Sequence, residues 1–383
     1  MKFFSQHIKG DKVVWIIVLL LSLFSILSVY SSTGSLAFRY QGGNTEYYLL
    51  KHVFTIITGL FIMYLIHNMK YTLFSRMAQL LFILSVPLLL YTLIKGTNVN
   101  EAARWVTVLG ISFQSSDVAK LAVILFLARA LALRQDKIDD LKSSFIPIIW
   151  PVGLVTILIF PANLSTAVLV FGTALIIMYI GRIPVKYIAA AIGALVLVGS
   201  LAVLIIMQSP GKGRTGTWAN RIESYFSDEE TEGDYQALQS KIAIANGGIT
   251  GKLPGNSTQR NFLPHPYSDF IYALIVEEWG LFGGIFVLLL YLILLYRGIR
   301  IATRSPGSFG AFLSIGLTIM IVFQALINMG VAVNLLPVTG QPLPLVSMGG
   351  TSIWFTCISL GIILSVSRNK EEEKEIANEN TKA

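Results

Sequence analysis

Ten stretches of almost uninterrupted apolar residues divide the chain, near 13–30, 47–66, 77–94, 115–131, 144–160, 164–180, 187–207, 270–296, 309–332 and 345–366. A helix crosses the hydrocarbon layer with about 20 such residues, and about 17 suffice. Two of the runs are separated only by Pro161-Ala162-Asn163. Glycines and prolines inside several runs do not argue against helix, because neighbouring spans re-satisfy a freed backbone group. The pattern predicts an all-α polytopic membrane protein with ten transmembrane helices. Between the seventh and eighth runs lies a long polar loop, 208–268, rich in glycine, proline and both signs of charge.

Composition supports that reading. Of 383 residues, 54% are hydrophobic and only 13% charged, about half the charged fraction of a soluble domain. Lysines and arginines decide the orientation. With the N-terminus inside, cytoplasmic segments hold Lys2, Lys9, Lys12, Lys70, Arg76, Arg129, Arg134, Lys137, Lys142, Arg182, Lys186, Arg297, Arg300, Arg304 and Arg368. The short outer loops hold only Arg39, Lys51, Lys95 and Arg104. This positive-inside asymmetry puts both termini in the cytoplasm and the 208–268 loop outside. The first run lacks a small-residue cleavage site and reads as a retained span. The net charge of +8 reflects topology and points to no nucleic acid partner. Cys357 stands alone in the last run, so the chain has no disulfide framework. Residues 1–368 read as one transmembrane domain, and 369–383 as a charged, solvated or disordered cytoplasmic tail.

Candidate chemistry gathers at the outer ends of the spans. Asp117 and Lys120 lie three apart on one helical face entering the apolar layer, either as a structural pair or as a cation aimed at a phosphate. Trp105 beside Arg104 has the character of an interfacial anchor. Asn163 and Ser165 suit the cap of the following helix. Residues 235–245 suit a short surface helix, with Tyr235, Leu238, Ile242 and Ala245 on one stripe. Gly247-Gly248-Ile249-Thr250-Gly251-Lys252 lacks the spacing of a nucleotide phosphate loop. Its glycines, with Lys252 and Arg260, could still hold the phosphate of a lipid carrier. Asp269 opens the eighth span as either a cap or a functional carboxylate. Glu277 and Glu278 lie about 12 Å deeper at 1.5 Å per residue, so they require buried partners or water. The segment Leu336 to Thr351 carries Pro337, Pro342, Pro344, Gly340, Gly349 and Gly350, which forbids a continuous helix and suggests a re-entrant or broken segment. Gly349 and Gly350 permit close approach by a helix or a ligand.

Several of these segments carry a resemblance. Ala103-Arg104-Trp105, Phe113-Gln114-Ser115-Ser116-Asp117-Val118-Ala119-Lys120, Tyr235-Gln236-Ala237-Leu238-Gln239-Ser240, Ser268-Asp269-Phe270-Ile271 with Glu277-Glu278, and the Leu336–Gly350 segment resemble, in order, the SEDS proteins of shape, elongation, division and sporulation. FtsW and RodA typify that family, and Gly255-Asn256-Ser257-Thr258-Gln259-Arg260 is more similar to the FtsW cell-division branch. The resemblance implies a ten-span bundle in the bacterial inner membrane that polymerises lipid II into glycan strands at the septum. It also implies a class B penicillin-binding protein transpeptidase and other divisome membrane proteins as partners. Asp269 matches the family's essential outer-loop aspartate, and Arg104, Lys120, Glu277, Glu278 and Ser347 match other recurrent positions. The chain departs from the family pattern at Asn163, where relatives carry aspartate, at Ser115-Ser116-Asp117, where Pro-Ser-Glu is usual, and at Met348, where tyrosine is usual.

The resulting expectation is that Asp269 acts as general base and that Arg104, Gln114, Asp117, Lys120, Lys252, Arg260, Glu277, Glu278, Ser347, Gly349 and Gly350 contribute to substrate binding. A divalent cation, Mg or Mn, could share the charge of the pyrophosphate, although no motif fixes its ligands. Two rivals are a lipid II flippase and a noncatalytic divisome scaffold. A flippase of inverted-repeat design would pair two broken spans, and the sequence offers only the 336–350 candidate.

Overall fold

The computed structural model describes residues 9–40, 42–99, 102–108, 110–208, 232–264 and 266–382. Its helices are α1 (Lys12–Ser32), α2 (Gly34–Tyr40), α3 (Thr45–His67), α4 (Tyr71–Lys95), α5 (Ser115–Leu133), α6 (Ile146–Ile159), α7 (Leu164–Ile180), α8 (Val185–Gln208), α9 (Glu232–Gly247), α10 (Ile271–Thr303), α11 (Ser308–Ala332) and α12 (Thr351–Lys382). Seven described helices are long and apolar enough to cross a membrane: α1, α3, α4, Leu141–Ile159, α10, α11 and Thr351–Arg368. Leu164–Ile180 and Val185–Leu197 are shorter apolar helices. α5 has 19 residues but carries Asp117, Lys120 and Arg129.

Local chemistry sets where the helices begin. The Asp11 carboxylate accepts from Val13 N at 3.0 Å and Val14 N at 3.3 Å, satisfying donors that the first turn of α1 leaves open. Asn163 does the same for α7 through Thr166 N at 3.2 Å, as expected of a capping residue. α11 is the central helix. Of its most apolar window 78% is buried, against at most 56% in the other six candidate spans, and it packs on α5, α7, α10 and α12. Around it, Leu, Ile and Phe side chains such as Ile16, Phe54, Phe61 and Leu80 face outward and exposed. Such outward apolar faces need a lipid solvent.

Three findings revise the expected architecture. Residues 97–114 are not an irregular loop, and the fold is not purely α. They form an antiparallel sheet of β1 (Thr97–Val99), β2 (Ala102–Val108) and β3 (Ile111–Gln114) in the order β1-β2-β3. Trp105 pairs with Gln114 and Val108 with Ile111, a register that places β-branched and aromatic residues where strands favour them. α9 forms, but its buried side is Ser240, Ala243 and Gly247, while Tyr235 and Leu238 from the expected stripe are exposed. The last helix runs on as far as Lys382. Much of the polar loop, 209–231, lies outside the described residues.

Candidate active site

Between Ala332 and Thr351 the chain forms no helix, yet Gln341 and residues 343–347 are buried. Irregular backbone inside a bundle must have its carbonyls satisfied by protein. Polar side chains from four helices do this. Ser165 of α7 donates to Thr339 O at 2.9 Å, and Asn328 of α11 donates to Gln341 O at 2.7 Å. Gln324, one turn earlier on α11, donates to Pro342 O at 3.0 Å. Tyr291 of α10 donates to Pro344 O, and Ser25 of α1 donates to Val346 O at 2.8 Å. Ser25 also lies 2.7 Å from His52 Nε2. Gln341 itself reaches back to Thr166 Oγ1 at 2.6 Å. The broken segment is thereby the organising strut of the bundle's polar interior.

This strut positions Asp269. Ser347 Oγ accepts from Leu343 N at 2.8 Å and donates to Ser268 O at 2.6 Å. Met348 N donates to Tyr267 O at 2.9 Å. Asn328 uses the amide that holds Gln341 to donate also to Asp269 O, at 2.8 Å. Ser268 Oγ donates to the Asp269 carboxylate at 2.9 Å. Asp269 is not the cap of α10, because Phe270 occupies that position and no side chain caps the helix there. The Asp269 carboxylate is half-buried and stands beside Gly340, where a Cβ would come within 3.6 Å of it. Gly340 has φ +65°, so this close, bare flank is a glycine position by conformation as well as by space.

A second polar centre lies at the start of α5. Lys120 Nζ is 2.7 Å from Asp117, and both side chains are largely buried. Lys120 also donates to Gln324 Oε1 at 3.1 Å, which links the pair to the strut through Pro342. The two residues wall a cavity of about 30 Å³ with Gln324, Pro344, Ser352 and Thr356. The other Asp117 oxygen has no hydrogen-bond partner among the described residues, and a cavity of that size holds a water molecule. Gln114 precedes α5 without a side-chain cap bond. Arg104 belongs to β2, and its side chain lies outside the described residues. Gly350 is exposed, with φ +52°.

Lys252, Arg260, Glu277 and Glu278 form a third cluster, and its geometry is that of a fastener. α10 breaks at Gly280, with φ 68° and ψ −172°. At the break, Lys252 N donates to Glu277 O at 3.0 Å, Leu253 N to Glu278 O at 2.9 Å, and Leu281 N to Gly248 O at 2.9 Å. A Cβ on Gly251 would lie 2.3 Å from Glu278 O, and one on Gly280 would lie 2.2 Å from Ile249 O. The glycines thus serve backbone-to-backbone approach. The fully buried Glu277 carboxylate accepts from Lys252 Nζ at 2.8 Å, Ser257 Oγ at 2.5 Å, and Thr258 N and Oγ1 at 3.1 and 2.9 Å. Ser31 of α1 donates to Glu278, while Arg260 donates to Ser31 O at 3.2 Å and Gly255 O at 3.0 Å. Both acids have the buried partners that the sequence requires of them.

Known proteins match this chain over most of its length. The FtsW, RodA and SpoVE family model, described as a cell cycle protein, matches residues 11–372. This chain belongs to that family. It is 32% identical over 370 residues to stage V sporulation protein E of Bacillus subtilis (strain 168), covering 95% of this chain and 98% of the relative. It is 31% identical over 382 residues to a probable peptidoglycan glycosyltransferase FtsW of Enterococcus hirae, covering 96% and 95%. The fold is shared with a chain of a peptidoglycan synthase complex that coordinates polymerization and crosslinking (TM-score 0.75, 24% identity, 94% and 98% covered). It is shared too with the rod shape determining protein RodA of Thermus thermophilus (TM-score 0.69, 23% identity, 94% and 97% covered).

In this SEDS-family bundle, sequence reasoning missed the strut's holders: Ser25, His52, Tyr291, Gln324, Asn328 and Gln341. The available signal was a polar side chain inside an apolar run, which is costly unless partnered. Asn328 and Gln324 sit in the ninth run and meet that criterion. No three His, Cys, Asp or Glu side chains gather as a metal site among the described residues. Among the described residues, Glu277 is saturated by its donors and Asp117 is paired with Lys120.

Proposed function

We propose that this chain is a peptidoglycan glycosyltransferase that polymerises lipid II, with Asp269 as general base. The observation that carries the reading is the half-buried Asp269 carboxylate, set by Asn328, Ser347 and Ser268 beside the broken 336–350 segment. Asp269 Oδ takes the proton from the 4-hydroxyl of the acceptor N-acetylglucosamine. The hydroxyl oxygen forms its bond to C1 of the donor N-acetylmuramic acid as the C1–O bond to undecaprenyl pyrophosphate breaks, with inversion at C1. A carboxylate suits this task, as in the inverting two-carboxylate scheme for glycosidic bonds. The pyrophosphate leaves as an anion, so it needs charge stabilisation more than a proton. Arg104 and Lys120 are assigned that role. Lys252 and Arg260 are assigned to holding the loop, since Lys252 donates to Glu277 and Thr258, and Arg260 to the carbonyls of Ser31 and Gly255.

The same proposal places ten spans in the inner membrane, with both termini cytoplasmic and 208–268 outside. Its partner is a class B penicillin-binding protein at the septum, alongside other divisome membrane proteins. The relatives named FtsW and the chain of the synthase complex support this assignment. The test is purified chain with its cognate transpeptidase, incubated with fluorescent lipid II. Wild type is expected to form glycan chains, and Asp269→Asn to lose at least about 100-fold, the usual lower bound for a general base. Full turnover by Asp269→Asn would sink the assignment. Lipid movement in vesicles without glycan chains would favour transport instead.

A further inference from the structure

The end of the bundle opposite Asp269 carries chemistry that the glycosyl transfer does not use. A cavity of about 390 Å³ lies between the start of α1, the last turns of α10 and the middle of α12. That volume falls in the range of ordinary ligand sites. Among the described residues, four basic ones, Lys12, Arg297, Arg300 and Arg304, line it with a single acid, Asp11.

Asp11 is already committed. Its carboxylate caps α1 through Val13 N and Val14 N and accepts from Arg297 Nε at 2.8 Å and from a second Arg297 nitrogen. The side chains of Lys12, Arg300 and Arg304 have no hydrogen-bond or ion-pair partner among the described residues. A cluster of one sign around a concave site draws in an anion.

The cavity's other wall says which anion. Val13, Ile301 and Val366 line it as well. Beside it, on the same ends of α1 and α10, Ile16, Tyr296 and Ile299 are 54%, 59% and 42% exposed, an apolar surface that belongs in hydrocarbon. A free phosphate would use the cations and nothing else. An amphiphile with a phosphate head uses both walls.

We propose that this cavity binds the phosphate headgroup of an anionic phospholipid from the cytoplasmic leaflet, bridging α1, α10 and α12. The inference rests on the positive-inside orientation and not on the catalytic reading, so either stands if the other fails. Basic pockets between spans on the cytoplasmic side hold such headgroups through charge and guanidinium geometry.

Native mass spectrometry of the full chain in detergent, titrated with phosphatidylglycerol, cardiolipin and phosphatidylcholine, tests it. Anionic lipid is expected to bind at least about tenfold tighter than phosphatidylcholine. Arg300→Gln with Arg304→Gln is expected to weaken phosphatidylglycerol binding by about thirtyfold, and the corresponding pair of lysine substitutions to retain most of it. Equal binding of anionic and neutral lipid by wild type overturns the proposal, and that comparison needs no variant to fold. An unchanged double glutamine variant overturns it too. Displacement of bound phosphatidylglycerol by millimolar inorganic phosphate would assign the site to a soluble anion instead.

Discussion

At the scale of single residues, the acids around α10 divide by what holds them. Asp269 keeps a half-buried carboxylate with a bare glycine flank, whereas Glu277 is fully buried and receives five hydrogen bonds from the 252–259 loop. Breaking such a buried charged network costs about 3–5 kcal/mol when its partner charge is left behind. Glu277→Gln is therefore expected to lower the thermal unfolding temperature in detergent clearly, and Asp269→Asn to leave it nearly unchanged. A Glu277→Gln chain of wild-type stability with no polymerisation would move Glu277 into the chemistry. Asn328 acts one layer behind Asp269. Asn328→Leu orphans the carbonyls of Asp269 and Gln341, at about 1–3 kcal/mol each if they stay unsatisfied. It is expected to cut glycan synthesis while lipid II still binds, as read by turnover alongside lipid II photo-crosslinking. Wild-type turnover would show that Asn328 does not position the base. Asp269 stood out in the chain as a candidate because its neighbours form a motif. The role of Glu277 was not, since its donors lie 18 to 25 positions away.

At the scale of elements, the decisive features are places where regular structure stops. α10 continues through Gly280 only because that residue adopts φ 68° while the 247–253 loop supplies hydrogen bonds across the gap. Gly280→Ala meets both a forbidden backbone region and a contact at 2.2 Å with Ile249 O. A loss of at least about 2 kcal/mol is expected from strain and displacement together, measurable as a drop in unfolding temperature and as faster proteolysis of the 247–260 loop. An unchanged unfolding temperature would show that the break is not needed for stability. The sheet at 97–114 was missed for a different reason. Its strands are short, and alternation over three to seven residues in a segment already read as a loop is a weak signal beside helices of twenty. The broken segment at 336–350 was legible, because three prolines and three glycines exclude a helix whatever surrounds them.

At the scale of the whole molecule, orientation is the property to test first. Cys357 is buried and is the chain's one cysteine, so Cys357→Ala provides a blank background. In that background Thr250→Cys, at an exposed position beyond α9, is expected to react with an impermeant maleimide on intact cells. Thr303→Cys, exposed at the end of α10, is expected to react only after permeabilisation. The reverse pattern would invert the topology and with it the leaflet of the proposed lipid site. By itself the sequence determined that the chain is a multi-helix membrane protein with a broken segment at 336–350, and it singled out the motif that carries the candidate carboxylate Asp269. Hydropathy, charge asymmetry and helix-breaking residues act locally, and they are read one segment at a time. Only the tertiary structure decided which polar residues meet: Asn328 with Asp269, Gln324 with Lys120, Lys252 with Glu277, and the basic Lys12, Arg300 and Arg304 around one cavity. Those pairings join residues up to some two hundred positions apart, and in a bundle the partner of a buried polar group is set by how the helices pack.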